Sequence, residues 1–344
     1  MKDVNGVAGT ASFCEGKVAV VTGAGGTLCS CIAKDLALKG AKVVLIGRTR
    51  EKLEKVAREI EEAQRAGRPL SQSNGQDARC PSVRIEPGDV TDEKAMQEIA
   101  DRVLAEWGPC RFLVNGAGGN NVKAMPTRLR FGEADLSAPS GLSAASQLSA
   151  PSGLSVPSEL SSEATLRGEA PLRAEGPLNQ ERGFWDIDME AFKSVLEINT
   201  LGTVIPSRIF GLQMAKAGGG SILNFGSMNT YRPLTRVAPY AMSKAAIANW
   251  TMFFAQYMAP AHVRVNAVAP GFFVNERSKQ YLMTPDGGFS ARGQQVIAHT
   301  PAGRFGEASE LLGCVEWLLD DERAGFVTGI TVPVDGGFLA SAGV

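Results

Sequence analysis

Residues 17–30 read Lys17-Val18-Ala19-Val20-Val21-Thr22, followed directly by Gly23-Ala24-Gly25-Gly26-Thr27-Leu28-Cys29-Ser30. A continuous run of β-branched and small apolar side chains suits a strand buried on both faces of a parallel sheet. The glycine turn opens a helical pattern that runs to Lys39, where Gly40 stops it. Strand, glycine turn and helix in that order form the setting in which a loop cradles a dinucleotide's pyrophosphate. Glycine lets the backbone come close, and the helix N-terminus favours the negative charge. Gly23, Gly25, Gly26, Thr27 and Leu28 are the first candidate cofactor contacts.

Outward from this unit the alternation continues. Strands are expected at 42–46, 83–86, 111–114, 221–225, 263–268 and 327–334, and helices at 51–66, 92–107, 189–216, 240–258 and 307–319. Such alternation predicts an α/β chain with a single Rossmann-type, doubly wound parallel sheet of about seven strands flanked by helices. The expected organisation is a flexible lead over 1–15 and one domain over 16–344. Residues 126–183 interrupt that domain after the fourth strand. There Leu136, Leu142, Leu148, Leu154, Leu160, Leu166, Leu172 and Leu178 recur every six residues among Ser, Ala, Pro and Gly. A period of six fits neither helix nor strand, so the stretch reads as a low-complexity, disordered insertion. It leaves from the tip of the fourth strand, near the mouth of any site there. Residues 275–304 are expected to lid the substrate.

Composition narrows the classes of function. A formal net charge of −1 gives no general attraction to nucleic acid or anionic membranes. No apolar stretch has the length of a membrane span, and the first sixteen residues lack the pattern of a secretory signal, so the expected location is the cytoplasm. The six cysteines form no Cys-x-x-Cys pair and read as reduced thiols. The two histidines, His262 and His299, have no ligand-spaced partner, so no metal site is expected.

The ends of the later strands supply further candidates. After the second strand comes Gly47-Arg48-Thr49-Arg50, with no acid until Glu51. A carboxylate at this point selects the 2′-hydroxyl of NAD, whereas an arginine accommodates a 2′-phosphate. Arg48 therefore predicts a preference for NADP(H), with NAD(H) as the alternative. Asp89, next to Val90 after the third strand, is placed to accept from an adenine amino group. Asn115 and Ala117 follow the fourth strand, and Pro270, Gly271 and Phe273 follow the sixth.

The chemistry points to Tyr240 and Lys244, four apart and therefore on one helical face. Pro239 suits a helix start, which puts Tyr240 in the first turn, where the dipole favours an anion. Free tyrosine has a pKa of about 10, and lowering it by about three units takes roughly 4 kcal/mol. The ammonium, the dipole and a bound cationic nicotinamide are expected to supply this together. The product is a phenol ready to exchange a proton near pH 7.

Taken together, Thr22-Gly23 with the glycine turn, Asp89-Val90, Asn115-Gly-Ala-Gly118, Asn199, Ser227 thirteen residues before Tyr240, Tyr240-x-x-x-Lys244 and Pro270-Gly271 resemble the short-chain dehydrogenase/reductase family. The resemblance covers roughly 17–125 and 184–338. It implies a catalytic set of Asn199, Ser227, Tyr240 and Lys244. Tyr240 is the acid in reduction and the base in oxidation. Lys244 lowers its pKa and holds the nicotinamide ribose. Ser227 hydrogen-bonds the reacting oxygen, and Asn199 anchors a water for proton relay. The resemblance also implies a dimer or tetramer.

Gly116-Ala-Gly-Gly-Asn-Asn, Ser227-Met-Asn, Pro233-Leu-Thr-Arg-Val, Ala269-Pro-Gly-Phe-Phe and His299-Thr-Pro-Ala-Gly-Arg-Phe-Gly look like the D-mannonate oxidoreductase branch. A sugar acid or polyol is then the expected small-molecule substrate. Lys123, Arg232, Arg236 and Arg277 are positional candidates for meeting its carboxylate. Reduction of 3-oxoacyl thioesters or other small ketones is the rival within the class; a non-catalytic cofactor-binding scaffold is the rival outside it. Thr27 and Cys29 stand where the family commonly has glycine, and a thiol at 29 must push the helix out or turn away.

Overall fold

The protein is described by a computed structural model over residues 12–66, 82–131, 182–274, 278–279 and 282–341. Its centre is a seven-stranded parallel sheet in the order β3-β2-β1-β4-β5-β6-β7. The strands are β1 (Val18–Thr22), β2 (Lys42–Gly47), β3 (Val83–Pro87), β4 (Cys110–Asn115), β5 (Gly220–Phe225), β6 (Val263–Pro270) and β7 (Thr331–Val334). The helices are α1 (Thr27–Leu38), α2 (Arg50–Ala66), α3 (Glu93–Trp107), α4 (Met189–Lys216), α5 (Ala238–Met258), α6 (Ala291–Ala298), α7 (Leu312–Leu319) and the short α8 (Asp321–Ala324).

Alternate residues of each strand feed opposite faces, as the two-residue period demands. Ala19, Val21, Val43 and Leu45 pack with Ile32 and Leu36 of α1, Leu53 and Ile60 of α2, and Leu318 of α7. Val18, Val20, Val44 and Ile46 pack on the other face with Met96 and Ile99 of α3, Phe210 and Met214 of α4, and Phe254 of α5. Both faces are covered, so every residue of β1 is buried. Strand order reverses between β1 and β4, and a doubly wound sheet opens its crevice at such a point, beyond the carboxyl ends of the strands.

Some boundaries differ from expectation. The last strand is confined to Thr331–Val334, because Gly329 takes φ +82° and the segment before it bonds sideways to β6, with Gly329 N–H donating to Val265 O at 2.7 Å. The helix expected over 307–319 begins as a 3-10 turn, Ala308–Leu311, and becomes α-helical only at Leu312. Part of the lead expected to be flexible is packed: Cys14 is fully buried, and Phe13 meets the Phe112 ring edge-on at 5.6 Å. Within 275–304, α6 is capped by Ser290 and packs Val296 against Leu282 and Phe305; residues 275–277 and 280–281 lie outside the described ones. The six-residue leucine repeat also lies wholly outside them. Its flanks meet: Thr127 N–H donates to Arg182 O at 2.9 Å, and Arg182 N–H to Thr127 Oγ1 at 2.6 Å.

Candidate active site

A cleft of about 670 Å³ opens at the sheet reversal. One end is built from backbone. Gly23 takes φ +65°, and a Cβ there would sit 2.7 Å from Gly116 O. A Cβ on Gly25 would come within 2.9 Å of Lys52 Cβ. Helix α1 starts after Gly26 with no side-chain cap and no acid in its first turn. By contrast, α3 and α4 are capped by Asp92 and Asp188. The first N–H groups of α1 have no intrahelical partner, which suits an anion at the cleft. Gly23, Gly25, Gly26, Thr27 and Leu28 all line it, as do Arg48, Asp89, Val90 and Ala117.

Asp89 is less available than its position suggested. Its Oδ1 accepts from Thr91 N–H at 3.0 Å and from the Thr91 hydroxyl at 2.7 Å, and Arg48 approaches Oδ2 at 4.0 Å. Burial alone would raise its pKa; the Thr91 bonds and the nearby guanidinium outweigh that and hold the carboxyl below its usual range.

The other end of the cleft is built from side chains. Ser227 sits just beyond β5 and caps a 3-10 turn over Met228–Thr230. Its backbone N–H donates to Thr230 Oγ1 at 3.2 Å, and the Thr230 hydroxyl donates to Lys244 O at 3.0 Å. This chain ties the Ser227 turn to α5. Pro239 lies in the first turn of α5 and Tyr240 directly after it, with Lys244 one turn on. The Ser227 side chain lies near enough to the Tyr240 phenol to favour its ionised form. Lys244 Nζ donates to Phe225 O at 2.6 Å and lies 5.6 Å from the centre of the Tyr240 ring.

In the chain by itself, burial sets the electrostatics of this pair. Burial pushes the Tyr240 phenol above its ordinary value, and Ser227 pulls it only part of the way back. Lys244 is itself buried, which lowers its pKa to about 8. An amine that has lost much of its hydration and is bonded to a carbonyl does not offset the phenol's own desolvation.

Asn199 is fully buried on α4. Its amide grips one backbone unit both ways, accepting from Gly119 N–H at 3.1 Å and donating to Gly119 O at 2.7 Å. A Cβ on Gly118 would meet Asn199 Oδ1 at 2.4 Å and Lys244 Nζ at 3.7 Å, so Asn199 and Lys244 approach the same bare backbone. Asn199 thus holds the loop after β4 in place.

Other expected contacts lie elsewhere. The Asn115 side chain turns inward: its Nδ2 donates to Ser207 Oγ at 2.9 Å and to Asn224 Oδ1 at 3.0 Å, joining α4, β4 and β5 inside the sheet. Pro270 and Gly271 pack toward β7, with Gly271 N–H on Val334 O. Phe273 lines a separate hollow of about 230 Å³ beside Arg304 and Glu310. Of the four candidate cations, Arg232 bonds Ser341 O at 3.3 Å, Lys123 is exposed on a 3-10 turn, Arg236 holds a left-handed φ of +71°, and Arg277 lies outside the described residues.

Three contributions went unread in the sequence. Lys52 lines the cleft beside Arg48. Thr22 Oγ1 accepts from Gly116 N–H and Ala117 N–H at 3.1 and 3.2 Å, joining the tips of β1 and β4. Cys29 is accommodated because its sulfur fills the space above Gly116, where a Cβ would lie 2.0 Å from it. The signal for the last was present in the pairing of a non-glycine at 29 with a glycine at 116, but only the fold makes them neighbours.

Two family models match the chain. One, described as short chain dehydrogenase, covers residues 17–131, and one, described as enoyl-(acyl carrier protein) reductase, covers residues 174–339. The chain is 35% identical to an uncharacterised oxidoreductase, UxuB, of Bacillus subtilis, over 96% of this chain and 97% of that one. It is 31% identical, with a TM-score of 0.74, to the crystal structure of a candidate D-mannonate oxidoreductase from Haemophilus influenza with bound NAD, covering 96% of this chain and 97% of that one. A candidate gluconate 5-dehydrogenase from Beutenbergia cavernae, with bound NADP at low occupancy, is 26% identical with a TM-score of 0.65, over 95% and 98% of the two chains.

Proposed function

The chain belongs to the short-chain dehydrogenase/reductase family and is an oxidoreductase acting on CH–OH groups; from that premise we propose that its substrate is the secondary alcohol, or matching ketone, of a sugar acid or polyol, foremost D-mannonate and D-fructuronate. One observation supports the reading: Tyr240 lines the glycine-lined cleft, with Ser227 acting on its phenol and Lys244 Nζ 5.6 Å from its ring centre. The backbone cradle at Gly23–Gly26 and the uncapped start of α1 fit a dinucleotide's pyrophosphate. When bound, the nicotinamide accepts or supplies the hydride.

The chain's own residues handle the proton and the geometry. Tyr240 exchanges a proton at its phenol oxygen with the alcohol oxygen. Ser227 donates a hydrogen bond where charge gathers on that oxygen. Lys244, held by Phe225 O, places a cation under the phenol, and Asn199 fixes the Gly118–Gly119 backbone against it. Arg48 and Lys52 give the adenosine end two cations, which supports NADP(H) over NAD(H).

Reduced-nicotinamide absorbance with D-mannonate, D-gluconate and xylitol, each with NAD and NADP, tests the substrate class and the cofactor. The reading expects the highest kcat/KM with D-mannonate and NADP. A second reading in the same class is reduction of 3-oxoacyl thioesters; turnover of a 3-oxoacyl thioester with none on any sugar acid would select it.

A cytoplasmic homo-oligomer completes the proposal. Among the described residues, no helix is long and apolar enough to cross a membrane. Met242, Phe253 and Tyr257 share one face of α5 and are 56%, 56% and 70% exposed. A second copy of this face is the occupant we assign to it. Phe253→Glu with Tyr257→Glu should reduce the mass seen in sedimentation; an unchanged mass would overturn the assignment.

A further inference from the structure

Asn229, two residues beyond Ser227, is 6% exposed, and both its amide oxygen and its amide nitrogen are hydrogen-bonded. Its Oδ1 accepts from Leu234 N–H at 2.8 Å. A backbone N–H only donates, so the amide oxygen must face Leu234 and the amide nitrogen must face the other way. On that other side lies Ser227 Oγ, 3.3 Å from Asn229 Nδ2. The backbone N–H of Asn229 reaches the same oxygen at 3.2 Å.

A serine hydroxyl has two lone pairs and one hydrogen. Asn229 supplies a donor to each lone pair. We propose that Asn229 is a positioning residue that fixes the polarity of the Ser227 hydroxyl, leaving it able only to donate, to the Tyr240 phenol oxygen or to a substrate oxygen beside it. This rests on the reading of Tyr240 as the proton-exchanging group. With its lone pairs filled, Ser227 cannot accept the tyrosine proton. The Tyr240 O–H is therefore directed away from Ser227, toward the substrate side of the cleft. Hydrogen bonds aligned in one direction polarise one another, so the order Asn229, Ser227, Tyr240 stabilises the ionised phenol more than a free serine would.

The surroundings isolate this effect. The groups packed on Tyr240 from the facing elements, Ala124, Ala191, Val195 and Phe192, carry no charge. Among the described residues, no charge is a cause of the Tyr240 shift; Lys244 on α5 lies 5.6 Å from its ring centre, and Cys29 on α1 acts on Lys244. Asn229 changes neither. The turn is also held without the amide, through Ser227 N–H to Thr230 and Thr230 to Lys244 O.

The test is an ultraviolet titration of tyrosine ionisation on the full chain saturated with oxidised nicotinamide cofactor. Each variant is subtracted from the same variant carrying Tyr240→Phe, which isolates this one phenol. Asn229→Leu removes the side-chain donor. Asn229→Asp removes it as well but keeps an acceptor for Leu234 N–H, so the loop bond survives. Both should raise the Tyr240 midpoint, by on the order of one pH unit for one lost hydrogen bond. In a Ser227→Ala background the Asn229→Leu shift should vanish, since the effect runs through that hydroxyl, and the Asn229→Asp shift should shrink to the direct effect of its added carboxylate. Unchanged midpoints would overturn the proposal. So would an Asn229→Leu shift that persists in full with Ser227→Ala, which would reveal a packing effect. Turnover surviving Tyr240→Phe would instead remove the parent reading, and the titration separates the two failures because it needs no substrate.

Discussion

The two ends of the cleft are made from different materials. At the adenosine end the protein offers absence: Gly23, Gly25 and Gly26 remove Cβ atoms, and α1 omits its cap. At the proposed catalytic end it offers presence: a buried amine, a half-buried phenol, the Ser227 hydroxyl, and a Thr230 hydroxyl that links the Ser227 N–H to Lys244 O. The first end gains its function from unsatisfied backbone donors, which cost little until a ligand arrives. The second holds an amine whose charge burial opposes, and that cost is present before any ligand arrives. Damage at the two ends should therefore read out differently.

Lys244→Met should show the largest effect and the clearest contrast. Turnover should fall by about 10²–10⁴-fold, as for loss of acid–base support. Yet at pH 7 the cofactor-free variant should melt several degrees higher than wild type, a gain of ~1–3 kcal/mol from removing a charge that burial opposes. The folded Lys244 titrates near 8 and the unfolded one near 10.5, so the folded state binds fewer protons between those values. Wild-type stability rises with pH across that window, and the gap to the variant should shrink. Melting curves at pH 7, 8, 9 and 10 check this; a variant less stable at every pH would erase the contrast.

At the other end, Gly23→Ala should damage binding and folding together. A side chain at φ +65° costs about 1–2 kcal/mol, and its Cβ would press on the Gly116 carbonyl. Weaker cofactor binding by calorimetry, with a lower melting temperature, is the expected pair. Gly116→Ala should cost about 1–3 kcal/mol through collision with the Cys29 sulfur, and Cys29→Ala in the same chain should recover most of it. Denaturant midpoints of the single and double variants decide whether Gly116 makes room for Cys29. The smallest effect is expected from Arg48→Ala, which should lower the kcat/KM ratio of NADPH to NADH by about tenfold through the loss of one exposed cation. An unchanged ratio would assign the preference elsewhere.

This contrast also marks what was legible in the sequence. The glycine end was readable because glycine positions report backbone conformation locally: residues 17–30 indicate strand, turn and helix without help from the rest of the chain. The succession of strands along the chain, and a doubly wound parallel sheet, followed from the same alternation. Tyr240 and Lys244 were readable from their spacing and from Pro239. The burial that opposes ionisation of the Tyr240 phenol was not, because desolvation depends on what α4 and the loop after β4 place over the ring. The direction of the Asn115 side chain was hidden for a related reason. Asn115 ends a strand, as a ligand contact would, yet its amide joins Ser207 and Asn224, which lie 92 and 109 residues away in sequence. Asn229 was legible only as the last residue of Ser227-Met-Asn, since its proposed role exists only in the directions of three hydrogen bonds.

The account rests most heavily on the phenol of Tyr240. Tyr240→Phe removes one oxygen and leaves the ring's packing against Ala124 and Val195 in place. The most direct measurement is the steady-state rate of nicotinamide reduction by D-mannonate in wild type and in this variant, with cofactor affinity measured on both. The account predicts turnover lower by at least about 10²-fold with cofactor affinity nearly unchanged. Turnover close to wild type in a variant that still binds cofactor would contradict it.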